Sequence, residues 1–242
     1  MKASTPEPLS ILLLSPTTPT SYRHASIPAG IRALTRLCES HGFALTATED
    51  IESLFRDPQS DPLAPFSVLL LLHCAGDFLP PPPSPARAAL QAFLHRGGGI
   101  VAIHGASTGM PSWPWYGAML GGVFKHHPPP SKETVRIVNP THPIMAAWLD
   151  KDNGMRRLDD GTWERDWFDE WYEFERDPRG EEGVEVLMAG GGQGEGYPVA
   201  WCRESFEGGR VFYTALGHFD EAYEDGGFMA QVLGAVLWTA RK

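Results

Sequence analysis

Gly97-Gly98-Gly99-Ile100-Val101-Ala102-Ile103-His104-Gly105-Ala106-Ser107 reads as a tight glycine turn, a short apolar run and a sharp bend carrying a histidine. In an open α/β sheet this order sets a polar side chain at the carboxyl end of a central strand, just where ligands bind. The small residues after His104 suit a strained turn from strand to helix, the geometry of a nucleophile elbow. A hydrolase would carry Ser or Cys at that elbow. Here it carries His104, with Ser107 beyond it, so His104 marks the candidate site.

The neighbouring segments decide the fold class. Residues 11–15 and 67–74 also read as buried strands, the second with five consecutive Val/Leu residues at its core and His73, Cys74 and Asp77 at its end, the mark of parallel strands covered on both faces. Pro28 opens a helix in which Ile31, Leu34, Leu37 and Cys38 recur at helical spacing, and Gly42 caps it. Residues 43–48 form a second strand, 50–55 a short helix or turn, and 85–96 a helix that Gly97-Gly98-Gly99 ends. This alternation predicts an α/β fold with a mostly parallel central sheet and helices on both faces. The C-terminal half adds antiparallel strands, 197–203 and 210–216, joined by a turn at 207–209, after strands at 133–138 and 184–188. A last helix, 228–240, turns Val232, Leu233, Val236 and Leu237 inward. Residues 1–8 read as a flexible tail and 9–242 as one domain. Pro80–Pro83 is a stiff spacer, 150–166 a charged surface excursion, and 190–196 a flexible glycine-rich segment.

Composition narrows the partners. A net charge of -10 argues against nucleic acid, which favours a basic face, and against anionic membranes. No apolar stretch is long enough to span a bilayer, and the run 9–14 is too short for a signal segment. Cys38, Cys74 and Cys202 are too few and too scattered for a disulfide framework or a thiolate zinc site. Reduced thiols place the chain in the cytoplasm. The acidic surface and aromatic-rich loops allow a homo-oligomer.

Polar residues at strand ends are the candidates for chemistry. His218 ends the apolar strand that closes on Leu216-Gly217, so it can face the same crevice as His104. His24 lies in the loop after the first strand, on the same side. Asp169 and Glu170 are adjacent, so a strand points them to opposite faces and only one enters the pocket. Their aromatic surroundings, Trp167, Phe168, Trp171 and Tyr172, can raise a carboxyl pKa and fit it for acid/base work. The catalytic set is therefore His104, Glu170, Asp169, His218 and His24. Histidines with a carboxylate can hold a divalent metal such as Zn or Mn. The spacing contains no HxxxH or HExxH, so such a site is assembled from distant segments, with His104 and His218 as ligands. Trp113, Trp115 and Tyr116 are either core or a stacking surface for a sugar ring. With His127 and Asp77 they make the substrate-binding set. The glycines at 190–194 lack the lysine and the strand-to-helix context of a phosphate loop.

Together these pieces resemble the ThuA-like, or trehalose utilisation, family. The resemblance rests on Tyr22-Arg23-His24-Ala25-Ser26-Ile27, Gly97-Gly98-Gly99 with Ile103-His104, Trp115-Tyr116 with Phe124 and His127-Pro128, and His142-Pro143. It continues through Asp169-Glu170-Trp171-Tyr172, Pro198-Val199-Ala200-Trp201, and Gly209 to Thr214 with Leu216-Gly217-His218. It implies a class I glutamine amidotransferase-like fold, a flavodoxin-like three-layer sandwich, and a link to disaccharide metabolism. The amidotransferase relatives carry a cysteine at the elbow. No cysteine lies between Cys74 and Cys202, so a glutaminase is rejected. The expected activity is that of a lyase or hydrolase acting on a small-molecule carbohydrate, a 3-keto disaccharide or glycoside of the trehalose type. His104 or Glu170 is the base that removes a proton beside the carbonyl, and His24, His127 and His218 polarise that carbonyl directly or through a metal. The alternatives are a non-catalytic sugar-binding or assembly module, and a hydrolase using Ser107 beside a histidine.

Overall fold

The computed structural model describes residues 8–57, 59–149, 153–191 and 195–241. The tail expected over 1–8 falls outside them except for Pro8, as do 192–194 of the glycine-rich segment and 150–152 of the charged excursion. Three apolar runs become the strands β1 (Ser10–Leu14), β3 (Val68–Leu72) and β4 (Gly99–Ile103). Every residue of β3 and β4 is buried, as a strand covered on both faces requires. Helix α1 (Ile27–Ser40) and strand β2 (Ala44–Thr48) separate β1 from β3, with the single-turn α2 (Ile51–Leu54) following β2. Helix α3 (Pro85–His95) starts where the Ser84 hydroxyl accepts the Arg87 N–H at 3.2 Å. Gly98 can follow it only as glycine, because a Cβ there would lie 2.3 Å from the Phe93 ring.

Beyond β4 come α4 (Pro114–Leu120), β5 (Phe124–His126), β6 (Ser131–Ile137), β7 (Arg156–Arg157), β8 (Trp163–Asp169), β9 (Glu173–Phe174) and β10 (Val184–Gly190). Strands β11 (Tyr197–Phe206) and β12 (Gly209–Thr214) then form a hairpin, and α5 (Gly226–Thr239) closes the chain, capped by Asp225 on the Phe228 N–H at 2.8 Å.

Ten strands make one sheet in the order β2-β1-β3-β4-β12-β11-β10-β6-β8-β7. Pairing is parallel from β2 to β12 and antiparallel from β12 onward. The sheet is therefore mixed: parallel over the N-terminal strands, as expected, with the antiparallel strands expected of the C-terminal half joined to it edge to edge. Short connections join β7 to β8, β10 to β11 and β11 to β12, and such connections can join only antiparallel neighbours; β6 pairs antiparallel with β8 and β10 across longer ones. Two segments of the charged stretch 150–166 form strands. Its residues 163–166 enter β8, and Arg156 of β7 pairs with Glu164 and Asp166 across the edge. The loop expected at 125–130 contributes His126 to β5, which pairs with β9 in a separate small sheet.

Two cores flank the sheet. One gathers Ile11, Leu13, Leu70 and Ile103 with Leu34 of α1 and Val232 and Val236 of α5. The other gathers Leu12, Leu14, Leu69 and Ala102 with Phe93 of α3 and Met119 of α4. Leu233 and Leu237, expected inward, are only half-buried, because α5 sits on the sheet with Val232, Ala235 and Val236 innermost. Among the described residues, no helix is long and apolar enough to cross a membrane.

This topology gathers the candidate residues. Parallel strands end at one edge, so the loops after β1, β3, β4 and β12 share it. From β12, four antiparallel steps through β11, β10 and β6 bring β8 back to the direction of β12. Its end, Asp169 and the following Glu170, therefore reaches the same edge.

Candidate functional site

His104 stands at the elbow with φ +46°, a left-handed conformation that a non-glycine residue rarely adopts. The turn then continues as a single 3-10 segment, His104–Thr108. Its ring is fully buried, and its Nδ1 lies 2.5 Å from the Ala215 carbonyl oxygen. A carbonyl only accepts, so Nδ1 carries a proton and Nε2 is the nitrogen turned away from it.

That nitrogen faces two other groups. Nε2 of His104 is 3.3 Å from Glu170 Oε2 and 3.3 Å from His218 Nδ1, and those two atoms are 3.0 Å apart. A proton on His218 satisfies only the edge it shares with Glu170. A cation at the centre satisfies all three corners. His24 is the fourth member: one ligand atom from each of His24, His104, Glu170 and His218 lies within 4.8 Å of the others. Metal–ligand bonds of ~2.0–2.1 Å place tetrahedral ligands ~3.4 Å apart, so edges of 3.0–3.3 Å fit. Three imidazoles and a carboxylate suit Zn or Mn.

The shell around the cluster fixes it. His24 is buried, its Nδ1 has no hydrogen-bond partner, and its ring stacks on His73 with centroids 4.3 Å apart. Burial, together with the neighbouring His104 and His218, pulls His24 down to about 3. His73 occupies the end of β3 with φ +51°, and its Nε2 bonds the Tyr223 hydroxyl at 2.8 Å. Burial pushes His73 well below its ordinary value. Gly105 leaves the space His24 fills, since a Cβ there would meet His24 Cε1 at 2.7 Å. Burial alone would raise the Glu170 carboxyl; its contacts with His104 and His218 outweigh that and hold it well below the ordinary carboxylate range. Tyr172 covers His104 with ring centroids 4.2 Å apart. His127, half-buried, approaches Glu170 Oε1 from the open side at 3.5 Å.

Asp169 has a different task. Its carboxylate accepts four N–H groups: Trp167 Nε1 at 2.9 Å, Glu170 N at 2.9 Å, Gly217 N at 2.8 Å and His218 N at 3.2 Å. It ties the end of β8 to the segment after β12 and so sets Glu170 opposite His218. As alternation requires, only Glu170 of the adjacent pair enters the cluster.

Four of the expected residues sit elsewhere. Trp113 and Trp115 stack on each other at 4.7 Å beside Arg87, and Trp115 Nε1 donates to Glu207. Tyr116 is buried, with its hydroxyl on the Ala106 carbonyl. Asp77 accepts the backbone N–H and hydroxyl of Ser112. These are packing contacts of α4 and its approach; the aromatic helix faces the core because its apolar residues have a core to fill. Ser107 bonds the Tyr213 hydroxyl at 2.9 Å and the His104 carbonyl at 3.4 Å, so no ring nitrogen takes its proton. Sequence reasoning noted His73 at the end of its strand and Tyr172 beside Glu170 without giving either a task. The strand-end rule that found His104 applies equally to His73.

The profile of the ThuA family, described as trehalose utilisation, matches residues 11–239. The structure is similar to that of a ThuA-like protein from Bacteroides uniformis, 22% identical, covering 98% of this chain and 94% of that one with a TM-score of 0.72. It is similar to a ThuA-like protein from Parabacteroides merdae, 17% identical, covering 97% and 90% with a TM-score of 0.70. A third likeness is the cytoplasmic protein STM3548 from Salmonella typhimurium, 11% identical, covering 97% and 100% with a TM-score of 0.61. No curated protein matches this chain. A profile that spans the sheet, both cores and every member of the histidine cluster shows that the chain belongs to the ThuA (trehalose utilisation) family.

Proposed function

We propose that this protein is a sugar-processing enzyme that acts on a 3-keto disaccharide or glycoside by acid/base chemistry at a divalent-cation site. The observation that carries this reading is the convergence of His24, His104, Glu170 and His218 within 4.8 Å. A sugar-binding module has no need of that convergence, and could keep its histidines scattered.

In a 3-keto sugar the carbonyl acidifies the neighbouring C2–H. A base takes that proton, the electron pair moves into an enolate on the C3 oxygen, and its return expels the oxygen substituent at C1. That oxygen leaves with a proton from a general acid. A divalent cation at the cluster supplies Lewis-acid polarisation of the carbonyl. His127 is suited to the proton work. Its Nδ1 donates to the Pro128 carbonyl at 2.8 Å, which directs Nε2 toward Glu170 Oε1 at 3.5 Å, and its side chain is 32% exposed. His104, expected as the base, has its one free nitrogen committed to the cluster. Glu170 offers Oε2 to the cluster and Oε1 towards His127. Tyr172 packs over both His104 and His127 and screens them from water.

A small-molecule carbohydrate as partner and a cytoplasmic home belong to the same proposal; the three buried free thiols support the latter. So does a flavodoxin-like three-layer arrangement within one domain, supported by α1 and α5 on one face and α3 and α4 on the other. The test is to incubate the purified protein with 3-keto-trehalose, with and without added Zn or Mn, and follow cleavage by NMR. Cation-dependent release of the second sugar is expected. An untouched substrate with each metal supplied would leave the binding-module reading in place.

A further inference from the structure

We infer that Tyr22, Phe219 and Phe168 form a stacking subsite for the second, unreacted pyranose ring of a disaccharide. The inference rests on the proposed function for its substrate class, but on separate residues. Large exposed apolar side chains among the described residues include Tyr22, 66% exposed, and Phe168, 54% exposed. Tyr22 contacts the histidine cluster directly, and Phe168 reaches it through Phe219. Tyr22 lies nearly parallel to the His218 ring, with centroids 6.4 Å apart and planes 11° apart, and sits edge-on to His24 at 4.9 Å. His218 also meets Phe219 edge-on, with centroids 4.4 Å apart, and Phe219 meets Phe168 at 5.2 Å. The rings thus run outward from a member of the cluster to the protein surface.

Three separate segments supply this row: the loop after β1, the segment after β12, and β8. Its spacing is held from below. Asp169, next to Phe168, accepts the N–H groups of Gly217 and His218, next to Phe219. The exposed rings of Tyr22 and Phe168, one at each end of this chain of contacts, fit the C–H face of a pyranose, which is apolar on its faces and polar at its rim. Polar partners for that rim are at hand. Lys132 lies opposite Phe168 in the strand register, and exposed Asp220 and Glu221 follow Phe219. The stacking task expected of Trp113, Trp115 and Tyr116 thereby passes to residues that do border the cluster.

Titration of wild type, Tyr22→Ala and Phe168→Ala with trehalose and with methyl α-glucoside tests this by calorimetry. Trehalose serves as an unoxidised disaccharide probe. Both side chains are exposed, so both variants keep the fold. Trehalose affinity is expected to fall roughly 2- to 12-fold in each variant, the range one aromatic contact contributes, with methyl α-glucoside affinity unchanged. Unaltered trehalose affinity, an equal loss for both ligands, or no trehalose binding by wild type would each overturn the subsite. A drop in oligomeric mass on Phe168→Ala would show the row to be a self-association face instead, and would also overturn it. Failure to turn over 3-keto-trehalose is read separately and bears only on the proposed reaction.

Discussion

His104 Nδ1 donates to the Ala215 carbonyl at 2.5 Å, and this bond between the β4 elbow and the residue after β12 turns the free nitrogen of His104 into the cluster. The bond does for His104 what outer-shell carbonyls do for metal-binding histidines: it fixes the tautomer and the ring direction. One equivalent of Zn or Mn is therefore expected to bind the purified protein. His104→Ala should abolish stoichiometric binding. Glu170→Gln should weaken it by more than the ~10–100-fold typical of losing an outer-shell partner. Metal analysis and competition with a chelator measure both, and an unchanged metal content in His104→Ala would contradict the assignment.

The adjacent acids separate function from stability. Asp169 is 1% exposed and satisfies four N–H donors. Asparagine offers one acceptor oxygen and turns an NH2 toward the rest. Asp169→Asn is expected to cost about 2–4 kcal/mol in chemical denaturation, from buried donors left unpaired. Glu170→Gln should also destabilise, since, against burial, the contacts with His104 and His218 that hold its carboxyl below the ordinary range favour the ionised folded form, but it should cost less than Asp169→Asn because it leaves no backbone N–H unpaired. Equal losses would show that the two acids share one role.

Much of this was legible in the chain, and the reasons are local. The strand 99–103 and its bend at His104 declare themselves because a fully buried strand must be apolar throughout and a tight elbow must be flanked by small residues. Glu170 and His218 are legible as strand-end residues, and His24 as a residue of the loop after the first strand. Their meeting is not, because it depends on four antiparallel steps between β12 and β8 that alternation in a single strand cannot reveal. The Trp113–Trp115 pair shows the converse. Aromatic content in a helix reads alike whether it faces a ligand or a core, and only α4's seat on the sheet decides.

Gly105 carries a prediction of its own. A methyl group there would lie 2.7 Å from His24 Cε1 and 3.3 Å from His73 Cα. His24 can swing away, whereas the backbone of His73 cannot. Gly105→Ala is therefore expected to displace His24 at an overpacking cost of about 1–3 kcal/mol, and to lower metal affinity while leaving the far-ultraviolet spectrum unchanged. Wild-type metal affinity in this variant would remove His24 from the ligand set.

His142 and Cys202 make a second His/Cys grouping, with Glu185 nearby, and it behaves differently. His142 Nδ1 accepts the Ile144 N–H at 3.3 Å, so its proton is on Nε2, directed at Cys202 Sγ 3.6 Å away. This ring is already engaged as donor and acceptor and offers no lone pair to a cation. Burial lowers its pKa from the ordinary 6.5, against the pull of Glu185 and Glu204. Above pH 7 it is neutral folded or unfolded and contributes no pH dependence. As the pH falls through 6.5 the unfolded chain takes up a proton that the folded protein resists. Stability is then lost until the depressed folded value is reached, at no more than about 1.4 kcal/mol per pH unit for one group. Asparagine in its place can still accept the Ile144 N–H but does not titrate. The stability advantage of wild type over His142→Asn, measured by urea unfolding, should therefore shrink between pH 7.5 and 5.5. An advantage that stays constant over that range would show that His142 titrates alike in both states.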